Sequence, residues 1–163
     1  MNLSQYDDCI CKKYNNTLDE CKSQYMIGEQ GKFVKLEPKS NEKVVVMIID
    51  GCIISDNDTK CDALFLYEKP TKKYSFLVEL KGASEIEKAF KQLSYTKYNR
   101  DEYKIILNIF DNNKNIIERF AIVSNGVIEK TRLTELEDIH GIRVRQILHS
   151  EATTPVPDLR KLI

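Results

Sequence analysis

The sequence predicts a single α/β domain, and three observations carry that reading. The chain has 163 residues, the length of one domain with a core large enough to bury most of its apolar surface. Short β-branched or aromatic apolar runs recur at 44–49, 63–67, 74–80, 105–110 and 116–123, which is how buried strands are written. Between the third and fourth runs the period changes, with Ile86, Phe90, Leu93 and Lys97 falling on one helical face. A composition 42% hydrophobic and 31% charged suits a globular chain and excludes a disordered one.

In chain order, Leu3, Tyr6, Ile10, Tyr14, Leu18, Cys21 and Tyr25 are spaced at helical intervals, so residues 1–30 read as one or two helices divided at Asn15 and Asn16. Gly28 and Gly31 stop the pattern. The run 44–49 is a strand, Asp50-Gly51 a turn or bulge, and 52–54 a continuation or return. The runs 63–67 and 74–80 flank residues 68–73, whose Pro70 cannot donate to a ladder and suits a turn, so a β-hairpin is predicted. Ser84 with Glu87 forms a capping box opening a helix to about residue 98. Two more strands, 105–110 and 116–123, are joined by turn residues 111–115, and 131–139 is helical. Residues 143–147 alternate as an edge strand does, and 153–163, with Pro155 and Pro157, form an extended or docked tail.

Several function classes fall away. Lys plus Arg and Asp plus Glu number 25 each, so whole-molecule attraction to polyanions is absent and any nucleic-acid surface must be local. No apolar stretch reaches a membrane span, and MNLSQYDDC lacks the layout of a signal peptide, which predicts a cytoplasmic protein. Five irregularly spaced cysteines, Cys9, Cys11, Cys21, Cys52 and Cys61, do not suggest a disulfide framework, so reduced thiols are expected. Cys-x-Cys is not zinc spacing. No phosphate-binding GxxxxGK occurs, and His140 and His149 lack triad partners, which gives them structural roles.

The chemistry concentrates on the hairpin. Acid-x-Lys triplets occur five times, against about three expected by chance, but only Glu79-Leu80-Lys81 closes an apolar strand. A turn centred between Pro70 and Thr71 sets Asp62 opposite Glu79. Like charges so paired are destabilising unless compensated, and a divalent cation would compensate them. Lys81 shares the face of Glu79. Two hard oxygen ligands beside an ammonium suit Mg²⁺ or Mn²⁺ and phosphodiester chemistry. The bland alternative is an exposed Asp62–Lys81 pair with Glu79 solvated.

CDALFLY, a six-residue loop, YSFLVELKG and a helix bearing KAFKQLSYT together resemble the PD-(D/E)XK superfamily of restriction-endonuclease-like nucleases over residues 44 to 110. The resemblance implies a mixed central sheet of about four to six strands flanked by helices, with Mg²⁺ (or Mn²⁺) held by Asp62 and Glu79. It implies Lys81 as the water-orienting residue and Gln92 as a further catalytic residue from the following helix. Cys61 stands where the family name has Pro. Many members add a Glu from a helix before the core, for which Glu20 and Glu29 are both available. Gln92 and Tyr95 do not reproduce the Gln-x-x-x-Tyr pattern of the exonuclease branch.

Lys88, Lys91 and Tyr95 supply phosphate contacts and a stacking ring for nucleic acid, with Lys97, Arg100, Tyr98 and the loop lysines 69–73 as further candidates. The expectation is therefore one nuclease-like domain over 1–163, with a helical segment 1–30, a core 44–110 and a C-terminal helix and tail 131–163. Its activity would be metal-dependent cleavage of nucleic acid, DNA rather than RNA, with a second copy or an accessory protein choosing the target. The alternative is a non-catalytic nucleic-acid-binding or protein-interaction module on the same fold.

Overall fold

The computed structural model describes residues 2–163. Its centre is a five-stranded mixed sheet of β4 (Lys43–Ile48), β5 (Ala63–Glu68), β6 (Lys73–Lys81), β7 (Ile116–Ser124) and β8 (Leu148–His149), in that spatial order. β4, β5 and β6 are antiparallel, whereas β7 and β8 run parallel to β6. A parallel step needs a crossover, and helices α1 (Ile86–Asn99) and α2 (Asp101–Phe110) supply it between β6 and β7. Both faces of the sheet are covered, which explains why its strands read as nearly unbroken apolar runs.

On one face Phe90 and Leu93 of α1, Tyr103 and Ile106 of α2, and Leu133 and Leu136 of α3 (Lys130–His140) pack on Leu64, Leu66, Leu77 and Ile122. The other face is covered by a separate antiparallel sheet of β1 (Cys21–Ser23), β2 (Met26–Glu29) and β3 (Lys32–Lys35) together with the C-terminal Leu159 and Leu162. The class is α/β, as predicted. Among the described residues no helix is long and apolar enough to cross a membrane.

The hairpin register is the one the Pro70 turn implies: Ala63 faces Val78 and Leu64 faces Leu77, so Asp62 and Glu79 come next in line. Four expectations are corrected. Among the described residues, 2–30 hold one 3-10 helix (Ser4–Cys9) and no α-helix before the small sheet, whose β2–β3 turn is made by Gln30 and Gly31, both at positive φ. That pair forms a two-residue hairpin turn, and its twist matches strands rather than helices. Residues 105–110 are helical, because Tyr103, Ile106 and Phe110 bury one face of α2. Ser84 makes no cap, since Ala83–Glu85 forms a 3-10 turn before α1 with no side-chain bond. Residues 52–54 and 143–147 are turn and loop, and only Leu148–His149 joins the sheet.

The thiol expectation is also corrected. Cys9 is bonded to Cys52 and Cys11 to Cys21, leaving Cys61 free and buried. Both bonds tie the N-terminal segment down, one to the turn after β4 and the other to β1. Connectivity of this kind cannot be read from spacing.

Candidate active site

The site lies where β5 begins and β6 ends. The Asp62 N–H donates to Glu79 Oε2 at 3.1 Å, and the Leu80 N–H donates to Asp62 Oδ2 at 2.7 Å, so each strand's carboxylate is held by the other strand's backbone. Lys81 Nζ stands 2.9 Å from Glu79 Oε1, which accepts no well-directed hydrogen bond. The Glu79 side chain is 0% exposed, contrary to the bland alternative of a solvated Glu79. A buried carboxylate whose second oxygen has only an ammonium beside it is poorly stabilised in its charged form.

The electrostatics follow. Burial pushes Asp62 up to about 7, the Leu80 N–H and Lys81 pull it down, and the charges of Glu29 and Asp50 push it further up. Burial also drives Glu79 well above the usual carboxylate range, with Asp62 adding to the rise and Lys81 opposing it. Lys81, despite burial, is raised by Glu79. Crowded acids of this kind gain from a cation, and the donor set, two carboxylates of hard oxygen, fits Mg²⁺ or Mn²⁺. Among the described residues no three His, Cys, Asp or Glu side chains cluster as a metal-holding group.

Glu20 and Glu29 both border a cavity of about 10 Å³ against Asp62, Ala63 and Leu80. They reach it from β2 and the residue before β1, not from a helix. Asp50, read from the sequence only as a turn residue, faces the site through the backbone, its N–H 3.3 Å from the Asp62 carbonyl. Thr96 was likewise missed: its Oγ1 accepts from the Cys61 N–H at 2.8 Å, fixing the residue before Asp62 to α1.

Gln92 comes to the site through the backbone: its Nε2 donates to the Lys60 carbonyl at 3.0 Å, and its Oε1 is buried without a partner. Lys60, Lys88, Lys91 and Gln92 line an open cleft of about 270 Å³ together with Asp50 and Asp58. Lys88 leans to Glu85 at 3.7 Å, and among the described residues no carboxylate lies within 4 Å of Lys91. Tyr95 does not line this cleft; its hydroxyl donates to Asp58 at 3.0 Å and so braces the cleft wall. Two further cations are structural. Lys97 pairs with Glu118 over the Phe120 ring, and the buried Arg100 binds Asp56, Asp58 and Glu102. His140 stacks on Phe90, in keeping with its structural assignment.

Comparison of the chain with family models, with curated proteins and with solved structures finds no match.

Proposed function

We propose that the protein is a metal-dependent nuclease with a restriction-endonuclease-like core of the PD-(D/E)XK type. The observation that carries the reading is the convergence of Asp62, Glu79 and Lys81 at one end of a hairpin, with both carboxyl groups held above their usual range. A run of three antiparallel strands, a helical crossover and a parallel strand is consistent with it.

Asp62 and Glu79 hold Mg²⁺ or Mn²⁺, which when bound polarises the phosphodiester and acidifies water. Lys81, fixed by Glu79, orients the attacking water and balances the charge that develops on the phosphoryl oxygens. Gln92 pins the Lys60 carbonyl and with it the approach to Asp62. Lys88 and Lys91 meet the nucleic-acid backbone in the adjoining cleft. DNA is the expected substrate.

One observation favours the alternative of a non-catalytic binding or interaction module: Glu79 is wholly covered, and the space at Asp62 is about 10 Å³, too small for a phosphate. In the nuclease reading the site opens when the target engages. Labelled duplex DNA, single-stranded DNA and structured RNA, incubated with Mg²⁺, Mn²⁺ or chelator, test the proposal. Cleavage that requires the ion and is lost in Glu79→Gln and Lys81→Ala is expected. Cleavage surviving in Glu79→Gln, or none in any ion with any substrate, contradicts it.

A further inference from the structure

Across the sheet from the carboxylates, beyond the ends of β6 and β7, lies a groove of about 360 Å³. Lys81 is register partner to Ser124, and Ser124 to His149, so His149 is two strand spacings, about 10 Å, from Lys81. The loop after β7 crosses so close to the chain leaving β6 that a Cβ on Gly126 would stand 2.7 Å from the Ala83 Cα. Groove and Lys81 therefore lie at the same end of the sheet, with the Gly126–Ala83 contact packed between them.

The groove pairs an apolar floor with cations. Val127 is 90% exposed, and Ile128 and Ile147 continue the apolar surface. Lys130, Arg145 and His149 rim it. His149 is engaged by Glu151 at 3.0 Å, whereas among the described residues no carboxylate stands within 4 Å of the Lys130 or Arg145 side-chain nitrogens. Arg145 is also held in a costly conformation. Its φ is 71°, in the left-handed region, and the buried Glu137 fixes its N–H at 2.8 Å. A strained backbone braced by a buried carboxylate, presenting an unpaired guanidinium, is what a ligand-facing residue requires.

We propose that this groove binds the nucleotides flanking the scissile phosphodiester, with Arg145 and Lys130 on successive phosphates and a base against Val127 and Ile147. The inference rests on the nuclease reading for its geometry, but its test does not require turnover. Apolar faces beside unpaired cations match a single strand, whose bases and phosphates are both accessible.

The test is anisotropy of labelled single-stranded DNA and RNA 12-mers with the full chain in chelator, over a salt series. Arg145→Gly should weaken binding about tenfold and lower the salt slope by about one, while glycine's ease at positive φ raises the melting temperature by about 2 °C. Lys130→Ala should lower the slope similarly, and Val127→Ser should weaken binding with the slope unchanged. Wild-type affinity and slope in Arg145→Gly, or no binding of either strand by the wild type, overturns the groove. A wild type that binds but never cuts overturns the nuclease reading alone, and cutting with unchanged binding in Arg145→Gly overturns the groove alone.

Discussion

The two ends of the β5–β6 hairpin treat buried carboxylates in opposite ways. Near the turn, Glu42 lies beside Tyr67. Burial pushes its carboxyl up, but the Lys39 N–H at 2.8 Å and Arg160 at 2.7 Å outweigh that and hold it at about 2. At the open end Asp62 sits at about 7 and Glu79 higher still, because burial and neighbouring acids outweigh the two N–H donors and Lys81. One sheet thus carries a carboxylate assembled for stability and a pair kept short of positive charge. The difference separates an acid that serves the fold from a pair that, in the proposed nuclease, would take up a cation.

The sharpest break of this contrast is Asp62→Asn. The folded carboxyl, at about 7, lies above its ordinary 3.8, so the native state holds a proton that the unfolded chain releases, and stability falls as pH rises from about 4 to about 7. Three pH units correspond to about 4 kcal/mol at most. Asparagine keeps an acceptor for the Leu80 N–H, so the variant should gain up to that amount at pH 8 in chelator and show a shallower slope, Glu79 keeping its own share. Urea unfolding at pH 5 and pH 8 checks both.

Next in size is the staple that holds the small sheet against Asp62. The Cys11–Cys21 bond spans 10 residues, and removing it in a Cys11→Ser, Cys21→Ser double variant should cost about 2 to 3 kcal/mol in the loop-entropy account. Calorimetry with and without reductant measures it, and no change on reduction contradicts the pairing. The smallest effect is Glu42→Gln, about 1 to 2 kcal/mol at pH 7 from loss of charged hydrogen bonds. Glu42 is lowered, so its contribution is complete above the ordinary 4.5 and disappears as pH falls towards 2. Chemical denaturation should show wild type and variant converging in acid. The two carboxylate substitutions thus carry opposite signs at neutral pH, and equal signs would erase the contrast.

Much of the open end was legible because a hairpin obeys simple arithmetic. Pro70 marks the turn, the register follows, and Asp62 meets Glu79 with Lys81 on the same face. Gln92 was singled out only by the family resemblance, and the cap expected at Ser84 did not form. The N-terminal sheet was not legible, because Leu3, Tyr6, Ile10 and Tyr14 mimic a helical period while disulfides and the Gln30-Gly31 turn set the fold. For that reason Glu29 could not be ranked over Glu20, and neither was placed on a strand. The run 105–110 misled because five apolar residues in six suit strand or helix equally, and the helix won through Tyr103 and Phe110 on its buried face. Arg145 was read only as part of an alternating edge at 143–147, because its positive φ has no sequence signature.

The central claim is that Asp62 and Glu79 together take up a divalent ion, and thermal melting at pH 8 with and without Mn²⁺ tests it most directly. At a hundredfold excess over Kd the ion should stabilise the wild type by about 2.7 kcal/mol, a rise of about 5 to 10 °C, and Asp62→Ala should show no rise. An unmoved wild type, or an Asp62→Ala protein that gains as much, would contradict it.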